Sequence, residues 1–121
     1  MTRAALLLLL AGGCRGSFGT PPYVPVQTGG DAGRGEQAIL DRHCGACHAI
    51  PGIQGAKGVV AAPLTQFALR TYIAGQVPNT PQNLVRWIQD PHDIDRGNAM
   101  PALGIGEAEA RDMAAYLYTL R

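Results

Sequence analysis

Five consecutive residues, Cys44-Gly45-Ala46-Cys47-His48, constrain this chain more than anything else in it. The two thiols are three residues apart, about one helical turn, and an imidazole follows the second at once, so three reactive side chains leave a single turn of backbone. The rest of the chain offers little apolar bulk: 121 residues hold two Phe, one Trp and four Tyr, against 16 Gly and 9 Pro. That length fits one small domain, and a domain with short helices and long Gly/Pro loops needs a disulfide, metal or cofactor to complete its core.

Three chemistries use such a cluster. A structural zinc site needs four ligands, usually as two separated pairs. Here the third cysteine, Cys14, is remote, His43 adjoins the motif and His92 stands alone, so no second pair exists. A thioredoxin-type dithiol sits between a strand and a helix of a βαβ unit, and no parallel-strand pattern is present. Covalent haem attachment uses every residue: Cys44 and Cys47 bond to the two vinyl groups, and His48 supplies imidazole to the iron. That reading calls for a second axial ligand, and Met100 in the Gly/Pro-bounded stretch "GNAMPALG" is the candidate. A thioether there favours reduced iron; otherwise the same Met fills a gap in the core. Met113 falls on an apolar helix stripe and is expected in the core. His92 is expected to be solvated, with iron ligation as its alternative role, and His43 is expected at the surface.

The domain pattern is helical, without convincing strands. "GRGEQAILDRHC" reads as an amphipathic helix running straight into Cys44, and "PLTQFALRTYIAG" as a short helix with Leu64, Phe67, Ala68 and Tyr72 on one side, closed by Gly75. "NTPQNLVRWIQDP" carries Thr80 as N-cap, Pro81 in the first turn and Pro91 as terminator, with Leu84, Trp87 and Ile88 on one face. "GEAEARDMAAYLYTLR" has Glu107 and Glu109 at its start and Arg121 at its end, matching the helix dipole, and Ala110, Met113, Leu117 and Leu120 form its stripe.

The amino terminus reads as an address. Residues 1–13 contain Arg3, an apolar run and small residues before Cys14, as in a secretory signal peptide of lipoprotein type. "LAGGC" resembles a bacterial lipobox, except that Leu10 precedes Cys14 by four residues rather than three. Cys14 is therefore expected to carry lipid; the alternative is cleavage nearby, leaving a free thiol in an oxidising compartment. Residues 14–30, with Pro21, Pro22 and Pro25, read as a lipid-anchored linker reaching about 50 Å if fully extended. Residues 31–121 form the domain. The expected location is the periplasmic side of a bacterial membrane.

Taken together, "RGEQAIL…CGACH", "PNTPQNLVRWIQDP" and "NAMPALGIGEAEARDMAAYLYTLR" resemble a class I monohaem cytochrome c, and the likeness runs from Arg34 to Arg121. Within that family the chain is similar to the small cytochromes, and the cytochrome domains fused to oxidase subunit II, that serve haem–copper oxidases. The resemblance implies an all-α fold of four or so short helices around one covalent haem c, with Cys44 and Cys47 as attachment sites and His48 and Met100 as axial ligands. It implies that Gly35 and Tyr116 lie where the first and last helices cross, the glycine admitting the aromatic ring. Trp87 becomes a haem-edge residue donating its indole N–H to a propionate, with a plain core Trp as the alternative; Arg70 and Tyr72 are further candidates for propionate contact, and Asn98 a residue orienting the Met100 loop. One position departs from the family: the proline whose carbonyl accepts the haem histidine's Nδ1–H is here Ala62, followed by Pro63. A backbone carbonyl is still available there.

The implied activity is single-electron transport rather than enzymatic turnover. The donor would be a quinol-oxidising complex or dehydrogenase, the acceptor a haem–copper terminal oxidase. Without a dinuclear-copper ligand set or membrane hairpin, the chain is expected to be the carrier alone. Its rivals are a redox subunit fixed to one dehydrogenase and a gas-binding haem sensor in which Met100 leaves. Ten basic and nine acidic residues give a net charge of +1, which excludes a basic nucleic-acid footprint. From Asp31 onward the balance is eight basic to nine acidic, so docking would use an apolar patch with a charged rim rather than strong steering.

Overall fold

The computed structural model describes Gly19 and residues 22–121. The signal peptide, the Cys14 lipidation and the first part of the linker lie outside the described residues. The first helix, α1 (Ala32–Asp41), starts where Asp31 turns its carboxylate back to accept the Arg34 N–H at 2.8 Å. It does not run on into Cys44. Arg42 closes it, His43 takes a left-handed backbone at φ 56°, and a separate 3-10 turn, Cys44–Ala46, carries the motif.

The stretch expected as a second helix is something else. After Pro63 the chain makes a 3-10 turn at Phe67–Leu69, then pairs β1 (Tyr72–Ile73) with β2 (Val77–Pro78) in a two-residue antiparallel ladder. Ala74 (φ 49°) and Gly75 (φ 71°) occupy the turn between them, the pair of positive φ values that mirror-image hairpin turns require. Gly75 is thus a hairpin residue rather than a helix cap.

The next helix, α2 (Pro81–Gln89), follows its sequence signals: Thr80 accepts the Asn83 N–H at 3.3 Å, and Leu84, Trp87 and Ile88 are buried together with Val85. Pro91 ends α2 and also begins a further turn, α3 (Pro91–Ile94), capped by Asp90. The last helix, α4 (Glu107–Leu117), buries Ala110, Met113 and Leu117, and Leu120 just beyond it is buried too.

The core forms where α4 crosses α1 and α2. At the α1–α4 crossing Gly35 is buried, and a Cβ on it would stand 2.0 Å from the Asp112 carbonyl oxygen. What the glycine admits is the α4 backbone itself. The Tyr116 hydroxyl donates to the Pro51 carbonyl at 2.7 Å. Two ion pairs flank the crossing, Arg34–Asp112 and Arg42–Glu109, each at 2.8 Å. The Arg34 guanidinium and the Asp31 N–H hold the Asp112 carboxyl below the usual carboxylate range.

The residues just before Asp31 are held against α4. Thr28 is buried, its hydroxyl donating to the Arg111 carbonyl at 3.0 Å while the Arg111 guanidinium returns a 2.9 Å bond to the Thr28 carbonyl. The last residues of the expected linker are therefore fastened to α4. No helix of the described residues is long and apolar enough to cross a membrane.

Candidate metal centre

The Cys44–Ala46 turn is closed by local bonds: Ala46 N–H donates to the His43 carbonyl at 3.0 Å, and His48 N–H to that of Cys44 at 3.0 Å. The chain then folds back over its own motif. Gly58 N–H donates to the Gly45 carbonyl at 3.1 Å and Ala61 N–H to the Cys47 carbonyl at 3.0 Å. Gly45 permits this, since a Cβ there would lie 2.6 Å from the Ala56 Cα. The thiols of Cys44 and Cys47 are both free; Cys44 is half-buried and Cys47 exposed. Burial pushes the Cys44 thiol up, favouring its neutral form.

The returning segment fixes the imidazole. His48 Nδ1 lies 2.6 Å from the Ala62 carbonyl oxygen. A carbonyl has no proton to give, so Nδ1 donates, and the lone pair of Nε2 is left for a metal. Replacing the family proline with alanine has not removed this bond. Its acceptor is held by flanking bonds, Ala61 N–H to the Cys47 carbonyl and Leu64 N–H to the Ala49 carbonyl at 2.8 Å.

His48 and Cys44 line an apolar cavity of about 610 Å³, counted with its mouth open to solvent, and so does Met100, which is distant in sequence. Ile39, Leu64, Phe67, Leu84 and Trp87 supply much of the wall, with Met113 and Leu117 from α4. Met100 arrives on the loop between α3 and α4, its N–H donating to the Asn98 Oδ1 at 2.7 Å.

Of the three edge candidates, Trp87 alone lines the cavity. Its indole N–H makes no hydrogen bond to another described residue. Tyr72 is 56% exposed because the ladder turns Ile73 inward and Tyr72 outward. Arg70 instead bonds the carbonyls of Pro63 and Thr65 and stacks over Phe67, bracing the segment that follows Ala62. His92 is not in the lining either; its Nε2 meets the Asn98 carbonyl at 2.9 Å. His43 is exposed, as expected.

Three buried residues had no periodic signal in the sequence: Ile50, Ile53 and Ala56 lie in an irregular loop. Their shared cue was that apolar residues in a Gly-rich loop must bury against something.

Zinc chemistry has no support, since no cluster of three or more His, Cys, Asp and Glu exists among the described residues. A flat apolar macrocycle bearing two vinyl groups would use both thiols, the free Nε2, the thioether and the apolar walls together, and the residues present fit it. The fold and site thus define a helical protein built around a covalently attached haem. The family model for cytochrome c matches residues 32–121, and the chain belongs to that family, whose members transfer electrons and carry haem c.

Curated relatives point the same way. Over 92 residues the chain is 37% identical to "Cytochrome c oxidase subunit 2" of Alkalihalophilus pseudofirmus, covering 74% of this chain and 26% of that protein. It is 31% identical to the Bacillus subtilis protein of that name over 74% of this chain and 26% of the relative. For that of Bacillus sp. strain PS3 the figures are 32%, 80% and 28%. The chain spans about a quarter of the length of these curated relatives.

Proposed function

We propose that this protein is a one-electron carrier of a respiratory chain, passing electrons from a quinol-oxidising complex or dehydrogenase to a haem–copper oxidase. It would work outside the cytoplasmic membrane, held there by lipid on Cys14. The observation that carries the reading is that a single apolar cavity gathers an oriented imidazole from His48 and a thioether from Met100. Cys44 and Cys47 would hold haem c, with His48 and Met100 as ligands to its iron. When bound, haem c would supply a one-electron iron couple.

The chain's own residues do the rest. The Ala62 carbonyl keeps the His48 proton on Nδ1, fixing ring orientation and raising the basicity of Nε2. Ile39, Phe67, Leu84 and Met113 exclude water, so little reorganisation accompanies a change of charge in the cavity. Trp87 offers its N–H to a carboxylate at the cavity. The oxidase as acceptor is supported by the relatives, each a cytochrome c oxidase subunit 2.

The test is optical and kinetic. Protein matured with covalent haem should show sharp reduced bands that survive acid–acetone extraction, and a weak sulfur-to-iron band when oxidised. Reduced protein mixed with a purified haem–copper oxidase should be oxidised under air at a rate saturating with carrier. Loss of the covalent bands overturns haem attachment at Cys44 and Cys47, and failure of oxidation overturns the acceptor alone.

A further inference from the structure

The loop that carries Met100 is tied to other elements beyond the methionine, where the Leu103 carbonyl accepts from Arg42 at 3.4 Å and the Ile105 carbonyl from Gln89 at 3.3 Å, and at a single point on the near side of it. Residues 96–102 take part in four hydrogen bonds among the described residues, and three are local. Asn98 N–H donates to the Asp95 carbonyl at 3.1 Å, Gly97 N–H to the Asp95 carboxylate at 3.1 Å, and Met100 N–H to the Asn98 side chain at 2.7 Å. The fourth comes from another element: His92 of α3 reaches the Asn98 carbonyl oxygen at 2.9 Å through Nε2. A carbonyl only accepts, so Nε2 donates.

His92 is itself well anchored. Its backbone N–H donates to the Asp90 carboxylate at 3.0 Å, and α3 is fastened to α2 by the Arg86–Asp93 pair at 2.5 Å. A chain of contacts thus runs from the rigid α2–α3 corner through the His92 ring to the Asn98 backbone. From there the Asn98 side chain passes it to the backbone of Met100. The ring does not line the cavity, so it acts on the site only through this loop.

We propose that His92 is a positioning residue for Met100, clamping the loop at Asn98 so that the thioether stays over the cavity. The proposal rests on the reading of Met100 as the second axial ligand. A loop released at Asn98 gives up its sulfur more readily, so an outside ligand competes better for the vacated position.

The experiment uses the matured haem protein, with wild type, His92→Leu and His92→Gln compared in the oxidised state. Imidazole titration reads displacement of the thioether, and the sulfur-to-iron band reads its ligation. His92→Leu is expected to bind imidazole about five- to tenfold more tightly, the equivalent of one lost hydrogen bond. His92→Gln, which keeps a donor at similar reach, should return towards wild type, a rescue that a purely packing role would not give. A wild-type imidazole affinity and band in His92→Leu overturn the positioning role while leaving Met100 ligation intact. A wild-type protein without the sulfur-to-iron band overturns Met100 ligation and this proposal with it. If His92→Leu does not mature, His92→Gln is compared with His92→Asn, one methylene shorter. Tighter imidazole binding by the Asn variant is expected, and equal affinities overturn the clamp.

Discussion

His48 and Met100 are held in different ways. The Ala62 carbonyl 2.6 Å from Nδ1 fixes the ring, and the thioether hangs on a loop held at Asn98. Met100→Ala should therefore keep the covalent haem bands and lose the sulfur-to-iron band. Its reduction potential should fall by on the order of 0.1–0.2 V, a fraction of the ~0.8 V that axial ligands span; a potentiometric titration checks this. Tyr118 gives a pH prediction. Burial pushes its phenol up to about 12, and its hydroxyl donates to the Asn79 side chain at 2.8 Å. An unfolded tyrosine loses its proton at about 10, so the stability due to Tyr118 is whole below about pH 10. It declines as pH rises from there towards 12. Denaturant midpoints measured across that window should fall less steeply for Tyr118→Phe than for wild type.

Among the elements, those with local grammar were legible and those made by long-range contact were not. Thr80, Pro81 and Pro91 mark α2 in the sequence, and the α4 stripe is buried as its periodicity requires. The stretch from Pro63 to Gly75 misled because Leu64, Phe67 and Ala68 recur at helical spacing. The β-branched Thr71 and Ile73 and the positive-φ pair Ala74–Gly75 favour a hairpin instead. The α1–α4 crossing yields a prediction at this scale. Gly35→Val puts a side chain where the first atom meets the Asp112 carbonyl at 2.0 Å. Overpacking of this kind costs about 1–3 kcal/mol, so the guanidinium midpoint should drop, with the axial ligation spectrum unchanged in the molecules that remain folded. At the same crossing the depressed Asp112 carboxyl contributes stability above its unfolded value of about 4. That contribution is lost as pH falls through its folded value, and Asp112→Asn should flatten the acid limb of the stability profile.

For the whole molecule, the cavity and the core are the same object. Ile39, Phe67, Leu84, Trp87, Met113 and Leu117 are core residues and cavity walls at once. Protein produced without haem attachment should therefore lack fixed packing: near-UV circular dichroism is expected to vanish while part of the helical far-UV signal persists. A near-native near-UV spectrum in the haem-free chain would refute that coupling. Docking follows from the charge balance, eight basic against nine acidic residues from Asp31 onward. With so little net field, the oxidation rate by an oxidase should vary less than about threefold between 20 and 200 mM salt, which stopped-flow mixing would measure.

Short-range signals were legible where a cap, a proline or a clean stripe marked them. The spacing of Cys44, Cys47 and His48 pointed to haem attachment, and capping residues with periodicity marked α2 and α4. Closure of the chain settled what depends on remote neighbours: the carbonyl at Ala62, singled out beforehand by family likeness alone, does reach His48, Thr28 is buried against Arg111, Tyr72 faces outward, and His92 bonds Asn98. The physical reason is that a carbonyl is the same group in every residue, and whether a side chain is buried depends on which distant segment folds over it. Those facts come into being only when the chain closes on itself.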